Sequence, residues 1–408
     1  MRNFKENMQK YAEAVLKVGV NIQPNQVLYI QASTEVVQFV RLVTKEAYKR
    51  GARNVVVNFS DAEVELMHFQ HAADDTFMEF PIWEKVQRED LIEKRAAFLF
   101  IHSKDPDLLA GVDPKRIANY QKAAGEAMKK WREANSVELL SWTIIGVPSR
   151  AWAEKIFPNQ EDSYDKMWDA VLRATRIYEE DPIAAWESHI KNLNERAAYL
   201  NKKKYRKLHY RAKGTDLTIE LNPLHIWGSA SKQTQDGVTF TANMPTEEVF
   251  TSPDRNGVSG YVTGKKPLSY AGTLIDDFKF VFENGRIVEV TAAKGEEVLK
   301  NLVATDEGSH YLGEVALVPH DSPISNSNLL FLNTLYDENA SNHLALGFGF
   351  PIALEGGTNM SKEELIKNGI NQSITHVDFM IGCADMDIDG ILEDGTIEAV
   401  FRNGNWAF

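Results

Sequence analysis

Between Val27 and about Pro148 the chain alternates compact apolar runs with amphipathic stretches, and this order constrains the fold more than any other feature. VLYIQA (27–32) leads into helical periodicity through VVQFVRLVTKEAYKRG (36–51), then NVVVNF (54–59) and further helical sequence. AAFLFIHS (96–103), a predicted helix around Lys115 to Trp131, and VELLSWTIIG (137–146) follow. Short strands separated by helices predict a parallel sheet with helices on both faces. The first strand runs into Ala32, Ser33, Thr34 and Glu35 rather than a GxGxxG turn, and no GxxxxGK[ST] occurs. A nucleotide-binding role for this half is therefore rejected. It reads as a scaffold or a wall of a substrate chamber.

Residues 149–207 are helical in pattern, with Asp181-Pro182 as an internal helix start. A boundary near residue 184 divides the chain into an N-terminal α/β domain (1–184) and a C-terminal domain (185–408). Beyond it the texture changes. LHYRAKGTDLTIEL, VTFTAN, GVSGYVTG, KKPLSYAGTLI and FKFVFENGRIVEVTA are short Thr-, Val- and Tyr-rich runs joined by Gly, Asn and Asp turns. That pattern predicts a mainly antiparallel sheet in an α+β domain, with Asn284-Gly285 a two-residue hairpin turn.

The 408 residues, 43% hydrophobic and 25% charged, are ordinary globular material with room for more than one core. A formal net charge of -13 excludes nucleic acid and anionic membrane surfaces as expected partners, since both need a concentrated cationic footprint. The basic run of Lys202, Lys203, Lys204, Arg206 and Lys207 reads as a solvated helix end. Cys383, the single cysteine, rules out an internal disulfide and a thiolate cluster within one chain and reads as a small core residue. At the N-terminus Phe4, Met8, Tyr11, Ala12, Val15 and Leu16 recur at helical spacing. Charges interrupt them, so neither a signal peptide nor a membrane span is expected, and the expected location is the cytoplasm.

The last third gathers carboxylates and imidazoles: Glu314 in LGEVALVP, Glu338 and His343 in YDENASNHLALG, His376 and Asp378 in THVDFMIG. This is the inventory of hard oxygen and neutral nitrogen ligands that a two-metal hydrolase uses to activate water. With one cysteine, the ligands must be O and N. In SITHVDFMIG, strand periodicity puts His376 and Asp378 on one face about 6.6 Å apart at Cα, with Val377 and Phe379 on the other. An exposed ion pair on a sheet face would read the same. Glu338 and His343 are five apart, so on a helix they are not quite on one face; Glu338 and Asn342 align better. One of Glu338 and His343 can ligate while the other acts on water.

The segments NMPTEEVFTSPD, LGEVALVP, NHLALGFGFPIALEGG and THVDFMIG, in this order over the full chain, resemble the M29 family of metallo-aminopeptidases, the thermophilic aminopeptidase T group. The resemblance implies an N-terminal α/β domain and a C-terminal domain with a two-metal site. It further implies a homodimer whose sites face an internal cavity. It assigns Glu248, Glu314, His343, His376 and Asp378 as ligands of two divalent ions and Glu338 as general base. Only this match, not periodicity, selects Glu248 over Glu247. Zinc, cobalt and manganese all suit these donors. Where the family pattern has a tyrosine seven residues beyond the ligand histidine, this chain has Phe350; Tyr336 and His310 are the substitute hydrogen-bond donors to consider. The implied activity is release of N-terminal amino acids from short peptides with a free N-terminus. Another metal-dependent amide hydrolase, a carboxypeptidase or deacylase, or an inactive binding protein that keeps the fold, are the competing readings.

Overall fold

The alternating runs of the first half pair as a parallel sheet. In the computed structural model, which describes residues 3–408, the strands β1 (Val27–Ser33), β2 (Asn54–Ser60), β3 (Ala97–His102) and β4 (Trp142–Gly146) are all parallel, in the order β2-β1-β3-β4. The helix α1 (Phe4–Ala14) precedes them. The crossovers are α2 (Val37–Lys49), then α3 (Ala62–His71) with α4 (Ile82–Glu93), then α5 (Pro114–Ala127) with α6 (Lys129–Ser136). The single helix expected at Lys115 to Trp131 is thus two, broken at Met128. The strand expected from Val137 starts only at Trp142, because Glu138 adopts a positive φ of 52° that extended backbone cannot contain. Tyr29, Phe98, Leu91 and Leu140 form one core of this half.

Three helices follow: α7 (Arg150–Ile156), α8 (Ser163–Ala174) and α9 (Pro182–Lys203). Asp181 starts α9 as its sequence predicts, accepting hydrogen bonds at Oδ1 from the Ile183 and Ala184 N–H groups at 3.0 and 3.1 Å. By contacts the chain forms two units. The first runs to His189 and takes in Ser231–Pro245; the second comprises Ile190–Ala230 and Thr246–Phe408. VTFTAN, read above as antiparallel sheet of the second half, divides. Between β7 (Ser231–Gln233) and β8 (Thr239–Thr241) there is a small antiparallel pair, while β9 (Asn243–Met244) joins β4 as a fifth parallel strand.

In the second unit, β5 (Lys207–Ala212) and β6 (Thr215–Glu220) pair antiparallel, as the texture of LHYRAKGTDLTIEL predicts. Asn284 and Gly285, at φ 50° and 83°, turn the chain between β13 (Thr273–Glu283) and β14 (Arg286–Lys294), the left-handed pair that a tight hairpin demands. With β11 (Val258–Thr263), β12 (Leu268–Tyr270), β18 (Asp387–Ile391), β19 (Ile397–Arg402) and β20 (Asn405–Trp406) these strands make a nine-stranded sheet. The basic run is a helix end only in part: Lys202, exposed, and Lys203 close α9, and the rest continues beyond it. Lys203, Lys204, Arg206 and Lys207 face Glu398, Glu355, Glu393 and Glu220, and Lys207 lies in β5. Cys383 is half-buried, and burial pushes its thiol up to about 11, so it is a poor nucleophile.

A second antiparallel sheet carries the candidate site. Its order is β10 (Val249–Thr251), β15 (Leu312–Leu317), β16 (His343–Gly347), β17 (His376–Met380). Val315, Leu344, Leu346 and Phe379 alternate onto one face and join the main core, where the Phe379 ring meets Phe280 at 5.1 Å and Phe278 at 6.0 Å. Each such side chain contributes roughly 1.5–3 kcal/mol by leaving water. Burial of one face fixes the strand register, so the alternate residues are committed to the other face. The short helices α10 (Glu296–Val303), α11 (Pro323–Asn326) and α12 (Thr334–Asp337) lie in the connections.

Candidate metal centre

Three transverse rows build the second face of this sheet. Glu314 pairs with Ala345, which pairs with Asp378; Ala316 pairs with His343, which pairs with Met380; Gly347 pairs with His376. Residues directly opposite across antiparallel strands point the same way, so Glu314, His343, His376 and Asp378 converge above a floor of Ala316, Ala345 and Gly347. Small residues there leave room for the long ones. Gly347 has φ 101°, and an added Cβ would meet the Thr375 carbonyl oxygen at 2.3 Å, so this end of the floor requires glycine. Glu248 enters from the residue before β10.

The ligand atoms form two clusters that share one residue: Glu248, Glu314 and His343 in one, Glu314, His376 and Asp378 in the other. His343 Nε2 lies 3.2 Å from Glu248 Oε2, and His376 Nε2 lies 3.1 Å from Glu314 Oε2 and 3.4 Å from Asp378 Oδ1. Within each cluster the donors approach to within 4.8 Å of one another. Both imidazoles are oriented from behind. His343 Nδ1 faces the Ser341 carbonyl at 3.1 Å and His376 Nδ1 faces that of Phe348 at 2.8 Å. A carbonyl only accepts, so Nδ1 carries a proton in each ring, which leaves Nε2 as the nitrogen that a bound metal would take.

The electrostatics fit a cation. Burial opposes charge on His343, yet the Glu248 carboxylate, with Asp378 and Glu314 behind it, outweighs burial and lifts the imidazole to about 10. His376 is likewise raised well above its ordinary value, against burial, by Asp378 and Glu314. Burial raises Glu314, and the carboxylates of Glu248 and Asp378 add to that shift while His376 opposes it. Asp378 Oδ1 is buried and has no hydrogen bond of good geometry, with His376 Nε2 standing 3.4 Å away. A carboxylate oxygen so weakly satisfied among clustered anions calls for positive charge. With Glu338 there are four carboxylates here. Two divalent ions bound by neutral imidazoles would balance them.

Glu338 is half-buried, and its carboxyl is raised well above the ordinary range by loss of solvent first, then by Asp378 and Glu248. The helical geometry expected for 338–343 does not occur. Glu338–Ala340 is a single 3₁₀ turn after α12, Ser341 is extended, and His343 opens a strand. A residue that sequence reasoning passed over links the pieces. Asn339 Oδ1 accepts the Glu247 N–H at 2.7 Å, and its Nδ2 donates to Glu338 Oε1 at 3.3 Å. Its place in the DEN segment was the available signal. Glu248, rather than the buried Glu247, is the cluster member. Tyr336 is buried and stacked on Phe331 at 4.6 Å, and His310 turns Nδ1 toward the Asp306 carbonyl at 3.3 Å.

A paired set of carboxylate and imidazole clusters sharing a glutamate, with a further half-buried carboxyl alongside, defines a metal-dependent hydrolase centre. Comparison with known proteins agrees. The family model described as Thermophilic metalloprotease (M29) matches residues 4–406. Aminopeptidase AmpS of Bacillus subtilis (strain 168) is 52% identical over 410 residues, covering 100% of both chains. Aminopeptidase 2 of Geobacillus stearothermophilus is 48% identical, covering 100% of this chain and 99% of its own. The solved structure of wild-type AmpT from Thermus thermophilus superposes with a TM-score of 0.94 at 40% identity, covering 99% of this chain and 100% of that one. The chain belongs to the M29 family of metallopeptidases.

Proposed function

We propose that this metal-dependent aminopeptidase releases the first residue of short peptides with a free N-terminus. In this reading Glu248, Glu314, His343, His376 and Asp378 hold two divalent ions, and Glu338 is the general base. The observation that carries it is the sharing of Glu314 between the two clusters, with the half-buried Glu338 carboxyl beside them. Ions held there would polarise the scissile carbonyl and make an attacking water more acidic. Glu338 takes the proton from that water and returns it to the departing amine, a role suited to a carboxyl placed beside both clusters. Asn339 fixes the orientation of Glu338. The free α-amine of the peptide finds its counter-charge among the same carboxylates.

Peptide substrates follow from the family; restriction to free N-termini is tested by comparing a free peptide with its N-acetylated form. The aminopeptidase reading expects the blocked peptide to be left intact. Equal hydrolysis of both would favour a deacylase or endopeptidase built from the same ligands, and action only on peptides with a free C-terminus would favour a carboxypeptidase.

The working form is proposed to be a cytoplasmic homodimer acting on short peptides rather than folded proteins, with neither nucleic acid nor membrane as partner. Among the described residues no helix is long and apolar enough to cross a membrane. Val64 and Met67 on α3 and Ile82, Trp83 and Val86 on α4 are exposed, large apolar side chains of the kind that subunit contacts cover. Light scattering at working concentration tests the assembly: a stable active monomer would refute it.

A further inference from the structure

Beside the metal clusters stands a group of phenylalanines for which the metal chemistry has no use. The Phe350 ring centroid lies 5.0 Å from that of the His376 imidazole, tilted by 49°. Phe250 meets Phe350 nearly edge-on at 5.6 Å, and Phe348 meets it at 6.0 Å. Phe250 belongs to the metal-bearing face, because it pairs with Ala316, which pairs with His343. The Phe350 backbone is pinned by its N–H, which donates to Ser252 Oγ at 2.9 Å. Phe278, Phe280 and Phe379, on the core side, are fully buried, whereas Phe348 and Phe350 are only half-buried. Aromatic surface therefore remains open next to a ligand imidazole.

The chemistry of an aminopeptidase substrate says what meets that surface. Its first α-carbon bears the free amine and is bonded to the scissile carbonyl carbon, the two groups held at the metal centre. The side chain on that carbon must leave within a few bond lengths of the imidazoles. The open wall available to it is made of Phe350 and Phe348, with the buried Phe250 ring packed edge-on behind Phe350, and an apolar wall offers no partner to a charged side chain.

We propose that Phe350, with Phe250 and Phe348, forms the subsite for the first side chain of the peptide, and that this subsite selects large apolar residues such as leucine, methionine and phenylalanine. The proposal rests on the aminopeptidase reading above. Burial of such a side chain against aromatic rings separates leucyl from glycyl substrates by about 10- to 100-fold in kcat/KM.

The test compares leucyl, phenylalanyl and glycyl p-nitroanilides on the metal-loaded enzyme, its Phe350→Ala variant and its Phe350→Leu variant, with metal content measured by elemental analysis. The alanine variant is expected to lose about tenfold or more on leucyl and phenylalanyl substrates, mostly through KM, and to keep glycyl turnover within about threefold. Calorimetric titration with free leucine and free glycine gives a second readout, in which the tighter binding of leucine shrinks in parallel. An equal fall on all three substrates, or unchanged ratios, overturns the proposal. Should the alanine variant fail to fold, the leucine variant decides: extra room in the subsite should raise its phenylalanyl-to-leucyl ratio several-fold, and an unchanged ratio counts against the subsite. Absence of release from every unblocked substrate by the wild type would instead sink the aminopeptidase reading itself, while release without apolar preference sinks only the subsite.

Discussion

Glu314 and Asp378 stand on either side of Ala345 in one transverse row of the four-stranded sheet, so a single methyl group separates two buried carboxylates on strands two positions apart. Two strand spacings put their Cα atoms roughly 10 Å apart, a gap that Glu and Asp side chains close only over a small residue. Replacing Ala345 with leucine fills the space where the donors converge. The expected outcome is loss of bound metal and at least about a 100-fold fall in turnover, with overpacking costing about 1–3 kcal/mol but leaving the secondary structure intact. Elemental analysis beside circular dichroism checks this; a metal-replete Ala345→Leu protein would show that the gap is not the ion site.

Glu314 alone belongs to both clusters, which gives its removal a different signature from that of its neighbours. Glu314→Ala is expected to strip both ions, whereas Glu248→Ala strips chiefly the ion it shares with His343. Metal-to-protein ratios near zero and near one after desalting are the expected pair of values. Equal ratios in the two variants would mean that Glu314 is not shared.

Glu338→Gln keeps the size and polarity of the side chain and removes its capacity to take a proton. Both ions should remain, and turnover should drop by at least about 100-fold, the scale of a lost general base. Near-normal turnover in the metal-replete variant would take Glu338 out of the chemistry.

Away from the site, His225 links stability to pH. It is buried, its Nδ1 donates to the Asn222 carbonyl at 2.7 Å, and its buried Nε2 has no hydrogen-bond partner. Burial lowers it to about 4, with Lys204 and Arg206 acting in the same direction and the Asn222 hydrogen bond opposing. The unfolded chain protonates this histidine near its ordinary 6.5, so between about 4 and 6.5 the unfolded state binds more protons. Stability from the neutral ring is therefore complete above pH 6.5 and is lost as pH falls through 4, by up to ~3 kcal/mol. The fall in Tm from pH 7 to pH 5 should be smaller in His225→Gln than in the wild type. Identical falls would remove His225 from the acid response.

How much of this was legible in the sequence depends on the range of the interaction. The opposite faces of His376 with Asp378 and of Phe379 follow from a period of two inside five residues, and the Asn284-Gly285 turn from two adjacent residues that tolerate positive φ. The rows that bring Glu314 to Asp378 and Ala316 to His343 depend on register between strands dozens of residues apart. No local pattern encodes that register. Glu248 precedes a three-residue strand that is buried throughout, so it shows no alternation to read, and only family resemblance singled it out. The spacing of Glu338 and His343, weighed above on a helix, takes another form because Ser341 is extended and His343 opens a strand that pairs with β15.

The account stands or falls on the ions, and the most direct measurement is a metal titration of chelator-stripped enzyme during hydrolysis of leucyl p-nitroanilide. Stripped protein should be inactive, and activity should rise with zinc, cobalt or manganese and level off at two equivalents per chain. Full activity in protein shown by elemental analysis to carry no metal would contradict the account.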